Sequence, residues 1–232
     1  MVALITSTLI PTSVYSFYTP IERLNQTINT IQKLRNAGFS DIYICDNSIK
    51  DINNKELYKA YESIKIFCTP QYSFENKSIN EALLILNNSH HLPQKTPIFK
   101  ISARYYPTPP FEKDIYYLHK HKDFVGIGYN FDKKIAGFST KAYFVKDIDV
   151  LTSTLVKAIE DMISYSKGIH GFKSGINSIK EIFHAHIGVN YQLSIEQSFA
   201  RILKQSNNYY LLNKMNIEGF EATSTKRILF SE

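Results

Sequence analysis

The sequence predicts an α/β fold: an open, mostly parallel sheet flanked by helices, continued by a mixed C-terminal half. Three observations predict it. Over roughly the first hundred residues, short apolar runs alternate with segments of helical periodicity, as in chains of right-handed βαβ units. Each of these runs ends in turn or polar residues, and in such sheets ligands bind outside the carboxyl ends of the strands. Beyond residue 104 the alternation stops, and strand-like runs follow one another before the next long helix.

The elements follow in order. Leu4 to Ile10 reads as a buried strand stopped by Pro11-Thr12-Ser13. From Thr19 to Ala37, Ile21, Leu24, Ile28, Ile31 and Leu34 recur at spacings of three and four, with Pro20 in the first turn and Gly38 as the stop, which predicts a helix. Ile42 to Cys45 is a second strand, Asn54 to Ser63 a helix, Ile64 to Thr69 a third strand, Ser73 to Asn88 a helix carrying Ile79, Leu83 and Leu86, and Pro97 to Ser102 a fourth strand. Phe124 to Tyr129 and Phe138 to Val145 are expected to pair with each other, ahead of a long helix from Asp147 to Lys167. Glycines at 168, 171, 175 and 188 predict loops around a short helix from Ile176 to His184. Ser194 to Gln205 is a helix opened by an N-cap serine, with Ile195, Phe199, Ile202 and Leu203 on one side. Residues 206–232 form a tail with one more strand at Tyr209 to Leu212.

At 232 residues the chain can bury a substantial core as one large domain. Its 44% hydrophobic and 21% charged residues are ordinary for a globular protein. The net charge of +6, from 27 Lys and Arg against 21 Asp and Glu, suits an anionic partner without choosing among nucleotide, nucleic acid and acidic membrane. Cys45 and Cys68 fall in expected core strands and indicate neither a disulfide framework nor a thiolate metal site. MVALITSTLIPTS lacks a basic leading region and reads as a first strand rather than a signal peptide, and no run approaches about 20 apolar residues, so a cytoplasmic location is expected. No Gly-x-Gly-x-x-Gly opens a helix after the first strand and no Gly-Lys-Ser/Thr loop occurs, which argues against dinucleotide oxidoreductases and P-loop NTPases. Asp147-Ile148-Asp149 has the spelling of a metal motif but stands where a helix begins, where acidic residues cap.

Chemistry is expected where the strands end: Thr12 and Ser13 after the first, Asp46-Asn47-Ser48 after the second, and Lys100, Ser102 and Arg104 at the fourth. Each also has a bland role, Thr12 as a turn residue, Asp46 as a cap and Lys100 as an edge charge.

The order of pieces resembles the GT-A glycosyltransferases, a Rossmann-like class, and within it the large inverting family whose first strand ends in Pro-Thr. DNSIKD, Asp46 to Asp51, is similar to that family's Asp-Asn/Gly-Ser-x-x-Asp strand end. ENKSINEALLIL, Glu75 to Leu86, resembles its Asn-x-Gly-x-x-x-Ala-x-Asn helix start, and SIEQSFARIL, Ser194 to Leu203, its Glu-Asp-x-x-x-x-x-Arg helix. The resemblance implies one GT-A-like domain over residues 1–232, with a nucleotide-sugar-binding half at 1–105 and an acceptor-side half at 106–232. It implies donor contacts from Pro11, Thr12, Arg23, Asp46, Asn47, Ser48, Lys77, Asn80, Lys100, Ser102 and Arg104, and a general base at Glu196, whose bland role is that of a first-turn carboxylate stabilising its helix.

Where the family carries a metal-binding Asp-x-Asp, this chain has FKISARYYP, Phe99 to Pro107, with Lys100 and Arg104 and no carboxylate. Cations there can balance a diphosphate, which favours a reaction without a metal cofactor, with Mn²⁺ or Mg²⁺ as the alternative. Similar Lys-x-Ser-x-Arg-Tyr stretches resemble those of bacterial transferases of lipopolysaccharide and capsule. His184 and His186, as structural histidines, as metal ligands, or on the phosphate and acceptor side with Tyr105, complete the candidates.

The partners so implied are a nucleotide-sugar donor and a glycan or lipid-linked glycan acceptor, with peripheral contact at the inner membrane face and no nucleic acid. The alternatives are a non-catalytic nucleotide- or RNA-binding α/β module and an inactive scaffold.

Overall fold

The computed structural model describes residues 1–10, 17–48, 64–69, 77–133, 135–167, 193–222 and 227–232. The elements in chain order are β1 (Val2–Ser7), α1 (Pro20–Asn36), β2 (Ile42–Asp46), β3 (Ile64–Cys68), α2 (Lys77–Asn88), β4 (Ile98–Ser102), β5 (Tyr105–Pro107), α3 (Ile115–Leu118), β6 (Phe124–Tyr129), β7 (Gly137–Val145), α4 (Ile148–Lys167), α5 (Ile195–Ser206), β8 (Tyr209–Leu212), β9 (Ile217–Ala222) and β10 (Arg227–Ser231).

Seven strands form the main sheet in the order β3-β2-β1-β4-β7-β6-β8. The first four are parallel, β7 is antiparallel to both β4 and β6, and β8 is parallel to β6. Crossing from β1 to both neighbours places the carboxyl ends of β1, β2 and β4 level, with Ser7 opposite Asp46 and Thr6 opposite Ser102. Because β7 runs the other way, with Ala142 opposite Ile101, its middle residues reach that same edge.

Alternation along each strand then divides the core between two faces. Val2, Leu4, Tyr43, Cys45 and Ile98 pack against α2, α4 and α5, whereas Ala3, Ile5, Ile42, Ile44 and Phe99 pack on the α1 side with Ile31 and Leu34. Phe199 of α5 fills the first core against Phe124, Phe138 and Tyr143, and Arg201 fixes α5 to α4 through a two-pronged pair with Asp161 at 2.9–3.2 Å.

Local chemistry sets the helix starts. Thr19 and Glu22 form a capping box at α1, Ser194 and Gln197 another at α5, and Asp147 Oδ1 accepts from the Val150 amide at the start of α4. The α1 boundary and the β6–β7 pairing follow the sequence reading.

Four features differ from it. β1 stops at Ser7 because Thr8, Leu9 and Ile10 bond to the side chains that follow β2 rather than to a neighbouring strand. Cys68 is exposed, since it is the last residue of β3, the outermost strand of the sheet. Residues 105–107, 217–222 and 227–231 contribute a second sheet, β10-β9-β5, that the reading did not contain. A glycine in mid-strand weakens strand character, yet at 219 it is required, because a Cβ there would lie 2.4 Å from the Arg104 carbonyl oxygen. The expected helices at 54–63 and 176–184 lie outside the described residues.

Truncating Phe199 to Ala empties a fully buried site and is expected to cost about 3–5 kcal/mol. Ser194→Ala, which removes one cap, is expected to cost about 1 kcal/mol. Urea denaturation of the two variants checks the ranking.

Candidate functional site

At the carboxyl edge, β1 and β2 are sewn together by the three residues that end β2. Asp46 is 1% exposed. Its Oδ2 accepts from the Leu9 amide at 3.0 Å and its Oδ1 from the Ser48 amide at 2.8 Å. Asn47 Oδ1 accepts from the Thr8 hydroxyl at 2.5 Å, and Ser48 Oγ accepts from the Ile10 amide at 2.9 Å. Asp46 therefore holds the loop that leaves β1, the capping role, and any ligand contact would use its remaining lone pairs.

Beside this loop the α1 capping box fixes the first helical turn, from which Arg23 donates to the Thr8 carbonyl at 2.8 Å. Burial, together with the like charge of Arg104, pulls the Arg23 guanidinium down to about 10, and Asp46 and Tyr18 oppose the shift. Two arginines are thus held within electrostatic reach of each other at one edge, where an anion would relieve their repulsion.

Arg104 is itself fixed from both sides. The Thr30 hydroxyl sits 2.9 Å from the carbonyls of both Ala103 and Tyr105, and the Phe220 amide donates to the Arg104 carbonyl at 3.3 Å.

On the opposite face of the sheet lies a buried polar network. Lys100 is 1% exposed, and its Nζ donates to Glu81 Oε1 at 2.6 Å, the Thr140 carbonyl at 2.5 Å and Ser102 Oγ at 3.1 Å. Glu81 also accepts from the hydroxyls of Thr6 at 2.5 Å and Ser102 at 3.1 Å. Burial alone would raise the Glu81 carboxyl, but the Lys100 ammonium and the two hydroxyls outweigh it and hold the group below the usual carboxylate range. The Thr140 hydroxyl donates to Glu196 Oε1 at 3.0 Å, so the half-buried Glu196 hangs from the same strand residue whose carbonyl receives Lys100. A small cavity adjoins this network, lined by Ser78, Glu81, Lys100, Thr140, Tyr143 and Phe199 among others.

Several expected site residues are placed differently. Lys100 is an internal counter-ion of Glu81, not a free cation for phosphate: in a strand buried on both sides its charge needs a partner in the protein. Tyr105 is 3% exposed and packs edge-on against Phe230, so it belongs to the core. Asn80 is buried in α2, and Lys77 begins that helix. Pro11, Thr12, His184 and His186 lie outside the described residues.

Glu81, Thr6 and Thr140 were missed, though Phe99-Lys100-Ile101 in a buried strand demanded a carboxylate, and Glu81 is the only one within α2.

The GT-A pattern implies a divalent ion at the end of β4. The residues there do not fit one: the position offers an ammonium and a hydroxyl, and the adjacent carboxylate is already neutralised by Lys100. Among the described residues, no three His, Cys, Asp or Glu side chains group as metal ligands.

The sequence matches no family model and no curated protein. Solved structures do match. The galactosyltransferase LgtC in complex with donor and acceptor sugar analogues aligns with a TM-score of 0.51 at 7% identity, over 94% of this chain and 86% of that one. An active-site mutant of LgtC aligns with a TM-score of 0.51 at 6% identity, over 94% and 86%. The glycosyltransferase GlyE of Streptococcus pneumoniae aligns at 0.48 and 9% identity, over 91% of this chain and 45% of that one. The fold is that of the GT-A glycosyltransferases. At these identities the likeness is one of architecture. Among the described residues, no helix of this GT-A chain is long and apolar enough to cross a membrane.

Removing Lys100 leaves Glu81 as an unpaired charge, so Lys100→Met is expected to destabilise by about 3–5 kcal/mol. Because the folded-state pKa of Glu81 is depressed, its stabilisation is present above the unfolded value of about 4.3 and is lost as pH falls through the folded value. Urea midpoints measured from pH 7 downward should therefore fall less steeply in Glu81→Gln than in the wild type.

Proposed function

We propose that the chain is a glycosyltransferase that moves a sugar from a nucleotide-sugar donor to a saccharide or lipid-linked saccharide acceptor, in the building of a surface polysaccharide. The observation that carries the proposal is the pairing of Arg23 with Arg104 at the carboxyl edge of a GT-A sheet, beside the loop held by Asp46. Two partly desolvated guanidiniums there suit a diphosphate. The fold supports a donor and an acceptor side by side, as LgtC has been solved with analogues of both.

In the proposed reaction Glu196 takes the proton of the acceptor hydroxyl, whose oxygen attacks the anomeric carbon from the face opposite the leaving group. The bond from that carbon to the diphosphate oxygen breaks, and Arg23 and Arg104 take up the charge left on the diphosphate. The outcome is inversion in a single displacement. No divalent ion enters the scheme, since Arg23 and Arg104 supply the positive charge at this edge.

Asp46, Asn47 and Ser48 shape the loop on which the nucleoside rests. A lipid-linked acceptor would bring the protein to the inner face of a membrane, which its net charge of +6 favours.

Thermal shift against UDP-, GDP-, CMP- and dTDP-sugars is expected to give stabilisation by one nucleotide class that survives EDTA. Arg23→Ala and Arg104→Ala should each weaken that binding about 10- to 100-fold, the value of one charge-assisted hydrogen bond. Absence of a shift with every donor would favour a non-catalytic module or scaffold.

Glu196→Gln should lower turnover about 10²- to 10⁴-fold with the donor shift intact, and NMR of the product should show the inverted anomer. Retention of configuration would overturn the single displacement.

A further inference from the structure

The β6–β7 hairpin ends at the same carboxyl edge as the arginines and Glu196, and its tip carries a tyrosine in an unusual setting. Tyr129 pairs across the hairpin with Gly137. Its ring lies over that glycine so closely that a Cβ on residue 137 would stand 2.0 Å from a ring carbon. The outer end of the ring is thus set against the Gly137 backbone, yet the residue remains 45% exposed.

A ring held against backbone on one side and open on the other offers a fixed aromatic surface to a ligand. The surroundings are also polar. Tyr129 lies within electrostatic reach of Glu196 and Glu232, and Glu232 is held by the Ser139 hydroxyl at 2.8 Å. Burial first, then these two carboxylates, push the phenol up to about 12, so it keeps its proton and its capacity to donate at neutral pH.

An aromatic face next to fixed carboxylates matches a pyranose, which offers an apolar C–H face and a rim of hydroxyl donors. We infer that the open face of Tyr129, beside Glu196, is the platform on which the sugar ring of the acceptor stacks. The inference rests on the glycosyltransferase reading for the word acceptor, and on the hairpin alone for the binding of a saccharide. Stacking there brings a ring hydroxyl to the carboxylate that hangs from Thr140, which is the orientation that proton removal requires.

The chain contains no tryptophan, so Tyr129→Trp installs a single reporter in the platform. Tyr117→Trp, at a residue equally exposed at 45%, is the control. Each variant is titrated with methyl glycosides of galactose, glucose, mannose and N-acetylglucosamine and with lactose, following tryptophan emission. The expected result is a saturable change with at least one saccharide for Tyr129→Trp and none for Tyr117→Trp.

Adding Gly137→Ala, which displaces the ring at its flexible end, should raise the apparent Kd about tenfold. No saturable change with any saccharide, in a Tyr129→Trp protein that keeps the wild-type donor shift, would overturn the platform and leave the glycosyltransferase reading standing. Equal changes in both variants would overturn it as well. Saccharide binding at Tyr129→Trp in a protein that no nucleotide sugar stabilises would uphold the platform and remove the donor reading instead.

Discussion

The rest of the structure depends on an ammonium buried in the middle of the sheet. Lys100 stands in β4 between Phe99 and Ile101, 1% exposed, and such a charge persists only if a carboxylate and further acceptors meet it there. Glu81 supplies the carboxylate from α2, Thr6 and Ser102 satisfy the carboxylate in turn, and the Thr140 carbonyl takes a third bond from Lys100. One charge thereby fixes α2, β1, β4 and β7 relative to one another at the edge where the strands end. The hydroxyl of Thr140 extends the same constraint to Glu196, so the carboxylate proposed as base is held by the network that organises the fold.

The period of two along a strand explains why the candidate groups fall into two sets. Thr6, Lys100 and Ser102 share the face covered by α2 and α5, while Asp46 shares the face covered by α1 with Ile42 and Ile44. A ligand lying over the edge meets arginines from one side and the Glu196 carboxylate from the other. The chain that leaves β4 crosses between these sides, and the clamp of Thr30 on Ala103 and Tyr105 sets where Arg104 emerges.

Much of this was legible in the residues. The start of α1 at Pro20, the N-cap at Ser194 and the hairpin of β6 and β7 each follow from local chemistry, and the structure repeats them. The edge cluster was legible too, because Asp46, Asn47 and Ser48 must follow a strand to act together. What stayed hidden depended on contacts distant in sequence. Lys100 looked like a ligand for phosphate since its partner is nineteen positions away. Tyr105 looked like a surface aromatic since the β9–β10 hairpin that buries it comes more than a hundred residues later. Gly219 disguised β9 for the reason that makes the strand possible, the close approach of the Arg104 carbonyl.

The antiparallel course of β7 has an evolutionary consequence. Thr140 reaches the site from mid-strand, and its position is set by the pairing of Ala142 with Ile101 and Tyr143 with Lys100. The turn between Tyr129 and Gly137 lies on the far side of it. Insertions or replacements in that turn can reshape the rim without moving Thr140 or the carboxylate that hangs from it, since a hairpin loop tolerates length changes that a paired strand does not. Selection can therefore alter what the rim recognises while leaving the reacting groups in place.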